Sequence, residues 1–136
     1  MKNNSTSERK ILENVPNKRI VDGLECEKFS FQMTEEEKKE RKEFYENQFR
    51  MLTKMACEEA FDVVFFDELI YTIGAGLFSE NLLLDFLKNK PKELEVILTG
   101  QGPSSNLIEA ADYVSEIRKI KHPFDKGMPS RKGIEK

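Results

Sequence analysis

The chain has 136 residues, of which 38% are hydrophobic and 35% are charged, and its formal net charge is −3. This length predicts a single domain, residues 1–136, with a core of useful size. The negative charge argues against a nucleic-acid-binding protein, because a basic face supplies most of that affinity. No apolar run reaches the roughly 20 residues needed to cross a bilayer, so no membrane segment is expected.

The first part of the chain predicts one long helix preceded by short elements. A short helix is predicted over residues 7–15 and the beginning of a strand over residues 19–21. Thr34 and Glu37 have capping-box spacing, so a helix should run from there to about residue 60. Four apolar residues recur along it at helical spacing and should line one face: Tyr45, Phe49, Leu52 and Ala56.

The rest of the chain alternates between predicted strands and helices. Residues 61–66 form a short run rich in Val and Phe, which is typical of a parallel strand buried on both faces. The elements that follow are a loop or broken turn at 71–76, a helix at 79–90, a strand at 95–99, a helix at 105–112 and an edge strand at 114–120. This order predicts an α/β fold with a mostly parallel sheet flanked by helices.

Polar residues stand where two of the predicted strands end. Asp67 and Glu68 follow the first of these strands, and Thr99 and Gly100 end the second. Ligands of parallel sheets gather at the carboxyl ends of the strands. The acidic pair therefore predicts a magnesium site, in which the metal bridges nucleotide phosphates. The alternatives are that a carboxylate only caps the next turn and that the Thr-Gly step is only turn chemistry.

The remaining polar features are less specific. Residues 118–136 contain seven basic and two acidic side chains, which form either a solvated tail or a basic flap over an anionic ligand. No nucleophile motif is present, and the lone His122 precedes a proline in a polar loop, so no catalytic residue is predicted. Cys26 and Cys57 are expected to be reduced thiols, and residues 1–10 lack a signal-peptide pattern, which favours the cytoplasm.

Several segments together resemble the P-loop-type corrinoid adenosyltransferases, which act on cob(I)alamin and cob(I)yrinic acid a,c-diamide. The similar segments are Phe66-Asp67-Glu68-Leu69, Tyr71, Leu98-Thr99-Gly100, Val114-Ser115-Glu116-Ile117-Arg118, Lys121-His122-Pro123-Phe124-Asp125-Lys126-Gly127 and Gly133-Ile134-Glu135. The resemblance extends over residues 10–135, and the Lys-His-Pro-Phe-Asp-x-Gly stretch is its most specific part.

The resemblance implies a RecA-like fold and a reaction in which cobalt(I) attacks the 5′ carbon of ATP and triphosphate leaves. It implies that Asp67 and Glu68 lie at the magnesium end of the site, with Thr99 and Gly100 as nucleotide-binding residues. ATP and a corrinoid would be the substrates, magnesium the cofactor, and a reduced flavoprotein the electron donor.

The resemblance also implies a role for two phenylalanines. Phe29 and Phe31 fall where family members place aromatic residues against the lower face of the corrin. There they would exclude the lower axial ligand and leave cobalt four-coordinate, which makes its reduction to cobalt(I) easier. Core packing is the alternative for both side chains.

The sequence departs from the family at the phosphate-binding end. A Gly-x-x-x-x-Gly-Lys-Ser/Thr loop occurs nowhere in the 136 residues. We therefore expect a member truncated at its amino terminus, without the first strand, the phosphate loop and the first helix. Three residues differ from those usual in the family: Gln101 stands in place of an Arg, Phe31 in place of a Trp and Ser130 in place of an Ala.

Two functions remain open at this point. One is adenosyl transfer, impaired or dependent on a partner chain for the phosphate loop. The other is a non-catalytic remnant that binds a corrinoid or associates with itself. Loss of an interior strand would expose unpaired edges, so a homo-oligomer is expected in either case.

Overall fold

The structure is a computed structural model, and it describes residues 11–23, 30–129 and 131. The chain forms two compact units. The units are Lys28–Val114, and Met1–Glu27 together with Ser115–Lys136. The one-domain organisation stays a prediction.

The larger unit is built around a small parallel sheet. Its two strands pair in the register Val63↔Glu95 to Phe66↔Leu98. The helices and strands are, in chain order, a 3-10 helix Ser30–Gln32, α1 Glu35–Glu58, β1 Val63–Phe66, α2 Leu69–Gly74, α3 Glu80–Asn89, β2 Glu95–Leu98 and α4 Ser105–Ala110. The predicted α/β class with a parallel sheet and flanking helices is confirmed.

Helix α1 begins at the predicted capping box. The Thr34 hydroxyl accepts the backbone N–H of Glu37 at 3.2 Å, and the Glu37 carboxylate accepts the backbone N–H of Thr34 at 2.8 Å. Two amide groups that lack partners within the helix are thereby satisfied. Three glutamates in the first turn also complement the positive end of the helix dipole.

Replacing Thr34 with alanine should therefore lower the free energy of unfolding by about 1 kcal/mol, because the first turn loses its side-chain acceptor. Thr34→Ser keeps the hydroxyl and is expected to stay close to wild type. Urea unfolding followed by circular dichroism measures both variants. Equal midpoints for the alanine and serine variants would show that the cap contributes nothing.

One face of the sheet and the helices share a core centred on Phe49 of α1. The centroid of the Phe49 ring lies 5.1 Å from the ring centroid of Phe66, 5.0 Å from that of Phe78 and 5.5 Å from that of Phe86. Leu83 of α3 is fully buried in the same cluster. The stripe predicted on α1 is confirmed, since Tyr45, Phe49, Leu52 and Ala56 are all buried or half-buried.

The opposite face of the sheet is open, contrary to the expectation that the strands are buried on both sides. Val63 and Ile97 are each 48% exposed, and Phe65 is 55% exposed. Successive side chains of a strand point to opposite faces, and the described residues cover only the face toward α1. We call Val63, Phe65 and Ile97 the open apolar face.

Three other predictions about secondary structure were wrong. Residues 71–76 are largely helical, because α2 begins immediately after Glu68 and its glycines come only at or beyond its end. Residues 114–120 form no strand and pair with no described strand, and Ile117 is 98% exposed. Residues 19–21 form no strand either.

The described part of the predicted amino-terminal helix is short. Ile11 and Leu12 are helical and residues 13–14 form a turn, whereas the start of the predicted helix lies outside the described residues. Cys57 is a free, exposed thiol, and Cys26 also lies outside them. Within the part of the chain that the structure describes, no helix combines the length and the apolar character needed to cross a membrane.

Candidate functional site

The acidic pair lies in a tight turn between β1 and α2. Glu68 has a φ of 61° and a ψ of 17°, the left-handed conformation that residues other than glycine rarely adopt. Its carbonyl accepts both the backbone N–H of Thr72 at 3.0 Å and the Thr72 hydroxyl at 2.9 Å. These two bonds hold the unusual conformation in place and start helix α2.

Thr99, at the end of β2, connects the neighbouring strand to this turn. Its hydroxyl donates to Oδ1 of Asp67 at 2.9 Å and accepts the backbone N–H of Glu68 at 3.0 Å. Its backbone also bonds on both sides: its N–H donates to the carbonyl of Phe66, and its carbonyl accepts the N–H of Ile70. The predicted meeting of Asp67, Glu68 and Thr99 at the carboxyl edge of the sheet is confirmed.

Gly100 lets α2 come close to the end of β2. Its φ is 142°, which residues with a side chain rarely adopt. A Cβ placed there would lie 2.6 Å from the backbone nitrogen of Tyr71 and 2.8 Å from Cβ of Ile70. Close packing of two backbones therefore accounts for this glycine, and its contact with a nucleotide stays a prediction.

The segment that carries Phe31 lies beside the same helix. The hydroxyls of Ser30 and Tyr71 are 3.3 Å apart, which connects the 3-10 helix to α2. Phe31 is 79% exposed, so core packing does not account for it. Phe29 lies outside the described residues. The Ser30–Tyr71 contact was not predicted, although Tyr71 was among the residues that carried the family resemblance.

The donor set at the turn suits magnesium that arrives with a nucleotide. Among the described residues, no group of three or more His, Cys, Asp or Glu side chains could hold a metal by itself. Magnesium is typically bound by one or two carboxylates together with substrate phosphates and water, which the pair Asp67 and Glu68 could supply. A carboxylate has about four lone-pair sites, so the bond from Thr99 does not saturate Asp67.

The described carboxyl-terminal residues form a local structure of their own. Residues Pro123–Lys126 are a 3-10 helix, and the backbone N–H of Phe124 donates to Nδ1 of His122 at 3.1 Å. The ammonium of Lys119 lies 2.8 Å from the Asp125 carboxylate. His122 thus has a structural role as a cap, and one of the basic side chains predicted to form a flap is paired within the segment.

Comparison with protein families identifies the class to which this chain belongs. The model of the family described as ATP:corrinoid adenosyltransferase BtuR/CobO/CobP matches residues 1–135. The chain therefore belongs to the ATP:corrinoid adenosyltransferase family.

Individual relatives carry the same description. The corrinoid adenosyltransferase of Escherichia coli (strain K12) is 34% identical over 82 residues, which are 60% of this chain and 42% of that protein. Corrinoid adenosyltransferase CobA of Salmonella typhimurium is 33% identical over 82 residues, with the same coverage. The Pseudomonas aeruginosa corrinoid adenosyltransferase is 29% identical over 86 residues, which are 63% of this chain and 42% of that protein. The matches thus span about two fifths of each of these relatives.

Proposed function

We propose that this chain binds the magnesium complex of ATP at the turn formed by Asp67 and Glu68. In this proposal it takes part in transferring the 5′-deoxyadenosyl group of ATP to the cobalt(I) of a corrinoid, in cobalamin biosynthesis or salvage. The observation that supports it most is the Thr99 bridge, which holds the acidic pair at the carboxyl edge of the sheet. The family to which the chain belongs is named for this transfer.

The chemistry explains why no protein base is needed. Cobalt(I) donates an electron pair to the 5′ carbon, and a cobalt–carbon bond forms as the bond from that carbon to the triphosphate oxygen breaks. Triphosphate leaves with the electron pair of the broken bond, and cobalt becomes cobalt(III). No proton moves in this step, so no base is required. Cobalt(I) is itself the nucleophile, so the lack of a nucleophile motif in the sequence is compatible with the reaction. The cobalt(I) state requires a reductant, for which we propose a reduced flavoprotein.

The residues of the chain have positioning roles in this scheme. Bound magnesium would neutralise charge on the phosphates and so stabilise the leaving triphosphate. Asp67 and Glu68 would hold that ion at the edge of the sheet. Phe31 is exposed and follows Ser30, whose hydroxyl contacts Tyr71; with Phe29 it would pack against the lower face of the corrin.

The transfer can be tested with the isolated chain, MgATP and chemically reduced cobalamin, by recording the spectrum of the light-sensitive adenosyl product. We expect magnesium-dependent product that falls at least roughly tenfold in Asp67→Asn, as is typical when an interaction with a charged reacting group is removed. Asp85→Asn, an exposed carboxylate on α3, is the matched control and should leave the rate unchanged. Equal rates for both variants would contradict the proposed role of Asp67.

A second function is favoured by two observations. The 136 residues contain no phosphate-loop motif, and the open apolar face leaves Val63, Phe65 and Ile97 about half exposed. These features suit a non-catalytic chain that binds a corrinoid or associates with itself. Corrinoid binding without any adenosyl product in the same assay would support this second function over the first.

Self-association makes a separate prediction for the open apolar face. Light scattering of the wild-type chain is expected to give the mass of a dimer or larger assembly, because exposed apolar surface is removed from water when copies pair. Phe65→Glu should shift the mass to that of one chain. Ile108→Glu, at a similarly exposed position on α4, should not. A monomeric mass for the unmodified chain would rule out this association.

A further inference from the structure

We propose that Thr99 is a positioning residue for the acidic turn and is not itself a ligand of the nucleotide. This inference rests on the proposed function, in which Asp67 and Glu68 hold the metal of MgATP. It concerns the hydroxyl at the end of β2, which the sequence suggested as a nucleotide contact. The geometry gives that hydroxyl two partners within the protein.

The direction of these hydrogen bonds is set by chemistry. The backbone N–H of Glu68 can only donate, so the Thr99 oxygen is the acceptor of the 3.0 Å bond. A threonine hydroxyl has a single hydrogen, and the partner in line for it is Oδ1 of Asp67, 2.9 Å away. Thr99 could donate to a phosphate oxygen only by releasing Asp67.

The two bonds act on the parts of the turn that determine where the carboxylates lie. Asp67 is exposed, and the hydrogen bond from Thr99 to its Oδ1 restricts the rotamers that the carboxylate can adopt. Glu68 has the left-handed backbone, with its N–H bonded to Thr99 and its carbonyl bonded to Thr72. Thr99 thus fixes one side chain and one peptide group, and Thr72 fixes the next peptide group.

Partners that orient metal ligands in this way typically change metal affinity by 10- to 100-fold when they are removed. Thr99→Val keeps the branched shape and removes the hydroxyl, whereas Thr99→Ser keeps the hydroxyl. Thr53→Val is the matched control, because the buried Thr53 hydroxyl donates to the carbonyl of Phe49 within α1 and not to the turn.

The experiment is a titration of the full chain with Mn²⁺, in the presence of ATP, followed by the electron paramagnetic resonance signal of free Mn²⁺. We expect Thr99→Val to weaken Mn²⁺ binding on the order of tenfold. Thr99→Ser and Thr53→Val should stay within about twofold of wild type, since both keep the bonds to the turn. Asp67→Asn is included to show that the binding occurs at the proposed site.

The outcomes separate this inference from the proposed function. Weakened binding in Asp67→Asn with unchanged binding in Thr99→Val would overturn the positioning role and leave the proposed metal site standing. Unchanged binding in Asp67→Asn would overturn the metal site and the inference with it. If Thr99→Ser weakens Mn²⁺ binding as much as Thr99→Val does, the hydroxyl is not what supports the binding, and the inference is also overturned.

A second measurement needs no variant and applies even if the valine substitution prevents folding. Amide hydrogen exchange of the unmodified chain should show the Glu68 N–H protected from exchange, because it donates to Thr99. Exchange as fast as that of an unstructured amide would mean that this bond is not formed in solution. That result would overturn the positioning role of Thr99.

Discussion

Replacing Phe49 with alanine is expected to lower the free energy of unfolding by about 3 to 5 kcal/mol. Phe49 is 4% exposed, and its ring centroid lies within 5.5 Å of the centroids of three other phenylalanine rings. Its removal would therefore leave a cavity at the centre of the core. Because small domains are stabilised by only about 5 to 15 kcal/mol, much of the folded population would be lost. Urea unfolding monitored by circular dichroism measures the change.

Phe31→Ala is the matched control for this prediction. Phe31 is 79% exposed, so its removal should change the stability by less than about 0.5 kcal/mol. The same variant should weaken corrinoid binding if the ring packs against the corrin as proposed. Similar losses of stability in Phe49→Ala and Phe31→Ala would contradict the description of the core.

Gly100→Ala is expected to lower the free energy of unfolding by roughly 3 kcal/mol. The new Cβ would lie 2.6 Å from the Tyr71 nitrogen and 2.8 Å from Ile70 Cβ, so the backbone of α2 would have to move. Forced overpacking typically costs about 1 to 3 kcal/mol, and a strained backbone conformation adds about 1 to 3 kcal/mol. Thermal unfolding gives the shift in midpoint directly.

Gly102→Ala separates the two causes of this loss. Gly102 also has a positive φ, 68°, but a Cβ there would have no heavy atom within 4 Å. Only the backbone strain applies there, so Gly102→Ala should lower the free energy of unfolding by roughly 1 kcal/mol. If both alanine variants lose the same stability, the close approach of α2 to Gly100 is not a source of the effect.

The sequence was sufficient to predict the structure wherever local chemistry determines it. The spacing of Thr34 and Glu37 predicted the start of α1, because a capping box is made by residues three positions apart. The apolar run around Phe65 predicted β1, because it combines strand-forming residues with a short length. The meeting of Asp67 with Thr99 followed from the rule that the carboxyl ends of parallel strands share an edge.

The sequence was not sufficient where distant parts of the chain decide the outcome. Val63 and Phe65 are as apolar as Val64 and Phe66, and only the elements packed against the sheet determine which pair is exposed. The interleaved charges of residues 114–120 are typical of an edge strand, yet a strand also requires a partner edge, and none of the described residues supplies it.

Helix α2 shows how a contact from another strand can support local structure. Gly74 and Gly76 indicated a loop, because glycine weakens a helix. The helix forms nevertheless, because its glycines lie only at or beyond its end. The turn before it is held by Thr72 and also by Thr99, whose hydrogen bonds join residues 31 and 32 positions apart. The direction in which the Thr99 hydroxyl points could not be predicted from sequence, although a threonine at a strand end was noted.

In the proposed function, the turn at Asp67 and Glu68 holds the metal of bound MgATP. Isothermal titration of the chain with ATP, in the presence and absence of magnesium, tests it most directly. We expect magnesium-dependent binding of ATP that weakens at least roughly tenfold in Asp67→Asn, in keeping with the cost of losing a charged ligand. Binding should be unchanged in Asp85→Asn. Binding of equal strength in Asp67→Asn, or in the absence of magnesium, would contradict the proposed metal site.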